Sequence, residues 1–210
     1  MRERLAAELG TVHKHAPERV ALCYPSPYRV GMSSLGFQSI YREINARPNS
    51  VAERAFLPDD VEAYRRTRTP IFTYEAERPI SDYPVIAFSV AYEIEIAGVI
   101  QLLELAGIPA LAEERTAQHP FILCGGPLTN SNPLPLAPFA DAIVMGEADQ
   151  SIHHVLDCIF AASSREAALR ELASSCFVPT LHGDELPSIG QADNSVLPAW
   201  APIRTGVLKP

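Results

Sequence analysis

Five short apolar runs, each stopped by proline or glycine and separated by helix-length sequence, constrain this chain more than any other feature. The first is Val20-Ala21-Leu22-Cys23-Tyr24, halted by Pro25 and Pro27. A weaker one runs from Val51 to Leu57, and Pro84 opens the clearest, Val85 to Val90. Phe121 to Cys124 runs into Gly125-Gly126-Pro127, and Ala140 to Met145 runs into Gly146-Glu147. Continuous apolar runs this short read as strands buried on both faces, which is the environment of a parallel sheet.

The sequence between the runs carries helical spacing. Leu35, Phe37, Ile40, Tyr41 and Ile44 recur at helical intervals behind Ser33 or Ser34, either of which can cap, until Asn45 and Pro48. A charged segment, Asp60 to about Arg68, is expected to be a solvated covering helix, and Ile71-Phe72-Thr73-Tyr74 is a candidate for a small extra strand. Further helices are expected over about 93–106, 149–162 and 165–174. Strands alternating with helices imply right-handed crossovers and a sheet covered on both faces. The expected fold is therefore α/β, a doubly wound parallel five-stranded sheet of flavodoxin-like type, with strand order 2-1-3-4-5. It occupies residues 17–175, behind an N-terminal helical extension (1–16). Residues 176–210 form a proline-rich tail that cannot build a core alone, and its tryptophan, Trp200, is expected to dock on something else.

Composition removes several function classes. The 210 residues carry a net charge of −8, and the longest basic cluster is Arg65-Arg66 with Arg68, so nonspecific nucleic-acid binding is not expected. Met1 to Leu9 lacks a signal-peptide core, and no window reaches the run of about 18 apolar residues that a membrane helix needs, so a soluble cytoplasmic protein is expected. Cys23, Cys124, Cys158 and Cys176 are far apart and in no metal-binding spacing, so no metal site is assigned; Cys23 and Cys124 read as small core hydrophobes. The pairs His13/His15 and His153/His154 read as surface residues. The 19 prolines are about twice the usual share and are spread along the whole chain, as in a fold with many connections.

In open α/β sheets ligands sit beyond the carboxyl ends of the strands, where the winding direction reverses. That rule selects the loops 25–35, 89–93, 125–132 and 146–150. Their glycine pairs permit close backbone approach to a flat ligand, and Ser33, Ser34 and Ser89 offer hydroxyls. There is no Gly-x-Gly-x-x-Gly, no Gly-x4-Gly-Lys-Ser/Thr and no Gly-x-Ser-x-Gly, which disfavours dinucleotide, triphosphate and α/β-hydrolase chemistry. Glu93 and Glu95, two apart, cannot face one substrate from a helix and read as capping or solvated groups. Glu147 stands at a helix start, as a cap or as a ligand contact. No catalytic residue is assigned.

The stretch Tyr24-Pro25-Ser26-Pro27-Tyr28-Arg29-Val30-Gly31-Met32-Ser33-Ser34-Leu35-Gly36, with Ala87-Phe88-Ser89, Leu105-Ala106-Gly107-Ile108-Pro109, Gly125-Gly126-Pro127 and Gly146-Glu147-Ala148-Asp149, resembles the amino-terminal domain of cobalamin-binding-domain radical S-adenosylmethionine (SAM) proteins. The resemblance implies a flavodoxin-like cobalamin-binding fold. It also implies a partner barrel, in cis or in trans, that holds S-adenosylmethionine and a [4Fe-4S] cluster on a Cys-x3-Cys-x2-Cys loop; no such triplet occurs in these 210 residues. The implied cofactor-binding residues are Tyr28, Gly31, Ser33, Ser89, Tyr92, Gly125, Gly126, Pro127, Gly146 and Glu147. Against the cobalamin signature Asp-x-His-x-x-Gly, aligned on Gly31, Ser26 takes the Asp place and Tyr28 the His place, while Ala91 replaces the Leu that follows Ser89 by two. No lower imidazole ligand to cobalt comes from that loop. Two readings stay open: an accessory domain that binds cobalamin without a histidine ligand, or a degenerate one that binds no cofactor and holds substrate or barrel. The chain alone is expected to catalyse nothing, being either an excised domain or the partner of a separate catalytic chain.

Overall fold

The computed structural model describes residues 1–191, 193 and 200–206. The chain opens with a short helix, α1 (Arg2–Ala6), and a two-residue strand, β1 (Glu8–Leu9). The α/β units follow as β2 (Glu18–Tyr24), α2 (Tyr28–Gly31), α3 (Leu35–Ala46), β3 (Ser50–Phe56), α4 (Val61–Thr67), β4 (Val85–Ser89), α5 (Glu95–Leu105), β5 (Phe121–Gly125), β6 (Ala142–Ile143), α6 (Ser151–Ala161) and α7 (Arg165–Leu172). A short α8 (Pro179–His182) and a last strand, β7 (Arg204–Thr205), belong to the tail.

The main sheet is parallel and ordered β3-β2-β4-β5-β6, as the alternation of runs and helices implies. The side-chain alternation of each strand feeds two cores. Val20, Leu22 and Tyr24 of β2, Val85 and Ala87 of β4 and Leu123 of β5 point to the face covered by α3, α6 and α7. Ala21, Cys23, Ile86, Phe88, Ile122 and Cys124 point to the face covered by α5. Ser34 caps α3 by accepting from the Phe37 amide at 3.3 Å, and Asp60 and Ser164 do the same for α4 and α7. The winding direction reverses between β2 and β4, so the open edge beyond their carboxyl ends is the place where a ligand site is expected.

Edges account for most differences from the expectations. β3 is an outer strand, yet all seven of its residues are buried. The Ile71–Tyr74 run is no regular strand; it makes one bridge, Phe72 to Pro79, and folds against the β3 edge. There the Tyr74 amide donates to Arg54 O at 2.7 Å and Glu75 Oε2 accepts from the Arg54 amide at 2.6 Å. An open sheet edge left bare invites pairing with another chain, and this segment closes it. β6 is only two residues long in regular pairing, and Ile143 exchanges both backbone hydrogen bonds with Phe177. Cys176, Phe177 and Val178 are fully buried, so the first tail residues complete the core and the α/β unit runs past residue 175.

The N-terminal extension carries a short strand besides its helix, and the tail reaches back to pair with it. β1 pairs antiparallel with β7, Glu8 opposite Thr205 and Leu9 opposite Arg204. The Ile203 amide donates to Gln38 Oε1 of α3 at 2.8 Å, and Ile203 is buried. This part of the tail docks on its own domain, because Ile203 and β7 find an apolar slot and an unpaired strand there. Trp200 is 80% exposed. Pro198, Lys209 and Pro210, also assigned to the tail, lie outside the described residues.

The strongest feature absent from the sequence reading is a buried ionic cluster. Arg54 of β3, with no exposed side-chain surface, pairs with Glu8 Oε2 at 2.7 Å and with Glu75 Oε1 at 2.6 Å, and lies 5.0 Å over the Tyr41 ring. Thr11 Oγ1 and the Tyr28 hydroxyl each donate to Glu8 at 2.6 Å. Burial pushes Glu8 up, but Arg54, Thr11 and Tyr28 outweigh it and leave the carboxyl below its ordinary range. Burial holds Glu75 above that range despite Arg54.

Candidate functional site

The carboxyl edge of the sheet is built by four loops, and backbone packing between them explains much of their glycine. Gly126 has φ 107°, and a Cβ there would stand 2.6 Å from Val90 O, because the loops after β4 and β5 meet back to back. The Val90 amide donates to Gly125 O at 2.8 Å, and the Leu128 amide to Val90 O at 3.1 Å. Gly146, φ 82°, abuts Gly190 O of the tail in the same way. Thr129 ties these loops together, its hydroxyl donating to Gly126 O at 2.8 Å and accepting from the Gly146 amide at 2.9 Å. On the other side of the edge the buried Glu95 carboxylate accepts from the Ala91 amide at 2.7 Å and from Ser26 Oγ at 3.0 Å, pinning the loops after β2 and β4. Glu95 therefore clamps the loop before α5 instead of capping the helix, and it is buried rather than solvated.

Between α3 and α6, over the carboxyl halves of β4 and β5, lies a cleft of about 420 Å³. Leu22, Ala87, Leu123 and Val144 form its floor; Leu35, Gly36, Ser39 and Ile40 form one wall; Ala148, Asp149 and Ile152 form the other. Small residues make the room. Ala87 stands on the central strand, and a Cβ on Gly36 would meet no atom within 4 Å. Ser39 donates across the cleft to Asp149 Oδ1. The lining holds Glu147 and Asp149 and no Lys, Arg or His. Its size and mostly apolar character are those of small-molecule sites.

The ten residues singled out from the sequence divide. Ser89, Gly125, Gly126, Pro127, Gly146 and Glu147 line the cleft. Tyr28, Gly31, Ser33 and Tyr92 do not. The segment after β2 folds into α2 instead of an open loop, turning Tyr28 into the core, where its ring stacks on Tyr74 with centroids 5.3 Å apart. The Tyr28 hydroxyl donates to Glu8 and lies 3.1 Å from Thr205 Oγ1, and burial and the Glu8 charge hold it far above the usual phenol range. Gly31 faces the Phe56 ring, Ser33 bonds the Arg29 carbonyl at the surface, and Tyr92 is 68% exposed. Gly36, Ser39, Asn130 and Asp149 line the cleft and were not among the ten; the one sequence signal that could have found them is Gly36, a glycine in the first turn of a helix.

Among the described residues no group of three or more His, Cys, Asp or Glu side chains is placed to hold a metal ion. Burial pushes the Cys124 thiol up to about 12 and Cys23 higher still, as expected of core hydrophobes.

Residues 36–179 match the profile of a family described as the N-terminal region of radical SAM proteins. The chain belongs to this radical SAM N-terminal family. The match begins at Gly36, on the cleft wall, and ends at Pro179, just past the Phe177 edge contact, so it takes in β3 to β6 and both cleft walls except Leu35. A search of curated proteins found no match. Among the described residues no helix of this radical SAM N-terminal domain is long and apolar enough to cross a membrane.

A corrinoid can be tested against these residues. A protein ligand to cobalt from the β2 loop is not on offer, since Tyr28 fills the histidine place and is locked to Glu8. The rest of the lining is mostly apolar, and Gly36 adds no side chain to one wall, so contact with the ring is the mode of binding these residues leave to such a group.

Proposed function

We propose that the chain is the accessory domain of a radical SAM enzyme and that its cleft holds a cobalamin-type cofactor by apolar contact, with no histidine bound to cobalt. The observation that carries this reading is the apolar cleft of about 420 Å³ at the winding reversal, walled by Gly36 on one side and Asp149 on the other. Leu35, Ile40 and Ile152 would grip a flat group and exclude water, while Glu95 and Thr129 keep the surrounding loops fixed. When bound, such a cofactor supplies the organometallic and radical chemistry that side chains lack. The barrel that binds S-adenosylmethionine and an iron–sulfur cluster would be the catalytic partner.

Burying about 200 Å² of apolar ring is worth about 5 kcal/mol, which corresponds to an affinity of roughly a few hundred micromolar. Equilibrium dialysis against hydroxocobalamin at high micromolar concentration is the matching assay. Retention by the wild type and its loss in Gly36→Leu, with the melting temperature held, is the expected outcome; no retention by the wild type sinks cobalamin binding.

The second reading is a domain without cofactor that grips substrate or barrel. It is favoured by the exposure of Val30, Leu35, Tyr92 and Ile94 on the segments after β2 and β4, and of Trp200 in the tail. If it holds, Trp200→Ala and Ile94→Ser weaken association with a barrel chain while corrinoid retention is absent; unchanged association would count against it.

A further inference from the structure

The two walls of the cleft are joined by polar rungs of fixed period. Ser39 Oγ donates to Asp149 Oδ1, Glu43 Oε2 pairs with His153 Nε2 at 3.3 Å, and Arg47 Nη2 pairs with Asp157 Oδ1 at 2.5 Å. Each step is four residues on both sides, so α3 and α6 run parallel and turn one face toward each other. The rungs are unequal. At the foot, Arg47 also donates to the His153 carbonyl at 2.9 Å and to Ser50 Oγ at 2.8 Å, and lies 3.3 Å from Glu18 Oε2, which ties it to β2 and β3. Charge-assisted bonds of this kind are the strong ones. The middle rung is partly exposed, and Glu43 is shared with Arg42 at 2.7 Å; such pairs hold little. The top rung is a single hydroxyl–carboxylate bond, whose Ser39 oxygen also lies 3.5 Å from Arg42 Nη2. Of the three rungs it alone has both residues in the cleft lining. Gln150, at the N-cap of α6, makes no side-chain capping bond, so Asp149 supplies the polar tie between the start of α6 and α3.

We propose that α3 and α6 work as a hinged clamp: the Ser39–Asp149 rung is its latch, Arg47 its pivot, and a ligand enters when the latch opens and the start of α6 swings away from α3. This rests on the reading that the cleft is a ligand site, and it adds how the site is entered. The closed cleft, about 420 Å³, lies toward the small end of the range of about 300–1,000 Å³ for small-molecule sites, so a larger ring system needs the walls apart. Opening at the top breaks one hydrogen bond and leaves the foot in place. A purely structural Ser39 would look different. Its loss would lower the stability of the whole fold and raise no local opening at the start of α6.

Hydrogen exchange followed amide by amide reads that opening without any ligand. Ser39→Ala is expected to speed exchange about tenfold at the Ile152 amide, which donates to the Ala148 carbonyl at 2.8 Å, and to leave the amides around Asp157 unchanged. Ser39→Thr, which keeps the hydroxyl, is expected to exchange as the wild type does. Acceleration spread evenly along α6, none at Ile152, or as much in Ser39→Thr as in Ser39→Ala overturns the latch. Entry is read by stopped-flow mixing with N-phenyl-1-naphthylamine, a neutral probe that brightens in apolar surroundings. Association about tenfold faster in Ser39→Ala than in the wild type is expected; equal rates, or binding to neither protein, overturn the proposal. Hydroxocobalamin titrated separately keeps the two readings apart. A working latch without corrinoid binding overturns the cobalamin assignment and leaves the clamp standing. Corrinoid binding without local opening in Ser39→Ala does the reverse.

Discussion

Arg54 holds two carboxylates from distant parts of the chain in a site without solvent, and its removal would strand both. Arg54→Met is expected to destabilise the fold by about 3–5 kcal/mol, measured by urea unfolding, because an uncompensated buried charge is far costlier than the intact pair is favourable. Nothing in the local sequence marks this. Ser-Val-Ala-Glu-Arg-Ala-Phe, residues 50–56, reads as a weak strand because two charges interrupt it, and Glu8 and Glu75 come from segments that no periodicity connects to it. The glycines were legible in a different sense. Gly125-Gly126-Pro127 and Gly146 do lie at the carboxyl edge of the sheet, yet Gly126 and Gly146 are glycine because backbones meet there. Gly126→Ala is therefore expected to lose stability, by about 1–3 kcal/mol for a strained positive φ with a clash, whereas Gly36→Ala is expected to be neutral or slightly stabilising, since its Cβ meets open space in a helix. Thermal melts of the two variants give the comparison.

Helices α3 and α5 and strands β2 and β4 follow from apolar spacing alone, because each is long or apolar enough to carry its own signal. β1 and β7 do not: a two-residue strand has no period, and its partner lies at the other end of the chain. Their joint is fastened by Glu8, which gives it a pH dependence. The Glu8 carboxyl is lower in the folded chain than in the unfolded one, so it contributes stability above the ordinary carboxylate range, and this is lost as pH falls through the folded value. Glu75 runs the other way: its raised folded value means that protonation on acidification relieves a cost. The difference between wild type and Glu8→Gln isolates the first effect. Melting temperatures measured from neutral to acid pH are expected to differ at neutral pH and converge at acid pH; a constant difference would remove Glu8 from the acid response. At the opposite edge, Phe177 plugs the sheet beyond β6. Phe177→Ala is expected to cost about 3–5 kcal/mol by denaturant unfolding, although a boundary drawn from composition placed this residue in the tail.

Taken whole, the molecule is a parallel sheet whose carboxyl edge is braced from inside by Glu95 and Thr129 and opens into one apolar cleft between α3 and α6. The winding rule located that edge from sequence, and six of ten chosen residues line the cleft. The other four fell away because the segment after β2 folds into α2 and closes its own loop, which depends on Glu8 and Thr205 from the two ends of the chain. The central claim is that this cleft is where the domain holds its cofactor. An amide chemical-shift map of the labelled chain titrated with hydroxocobalamin tests it most directly. The expected result is saturable shifts concentrated at Gly36, Ser39, Ser89, Gly125, Gly146 and Asp149, absent in Gly36→Leu. Shifts confined to the β1–β7 side, or none at all at high micromolar cofactor, would contradict it.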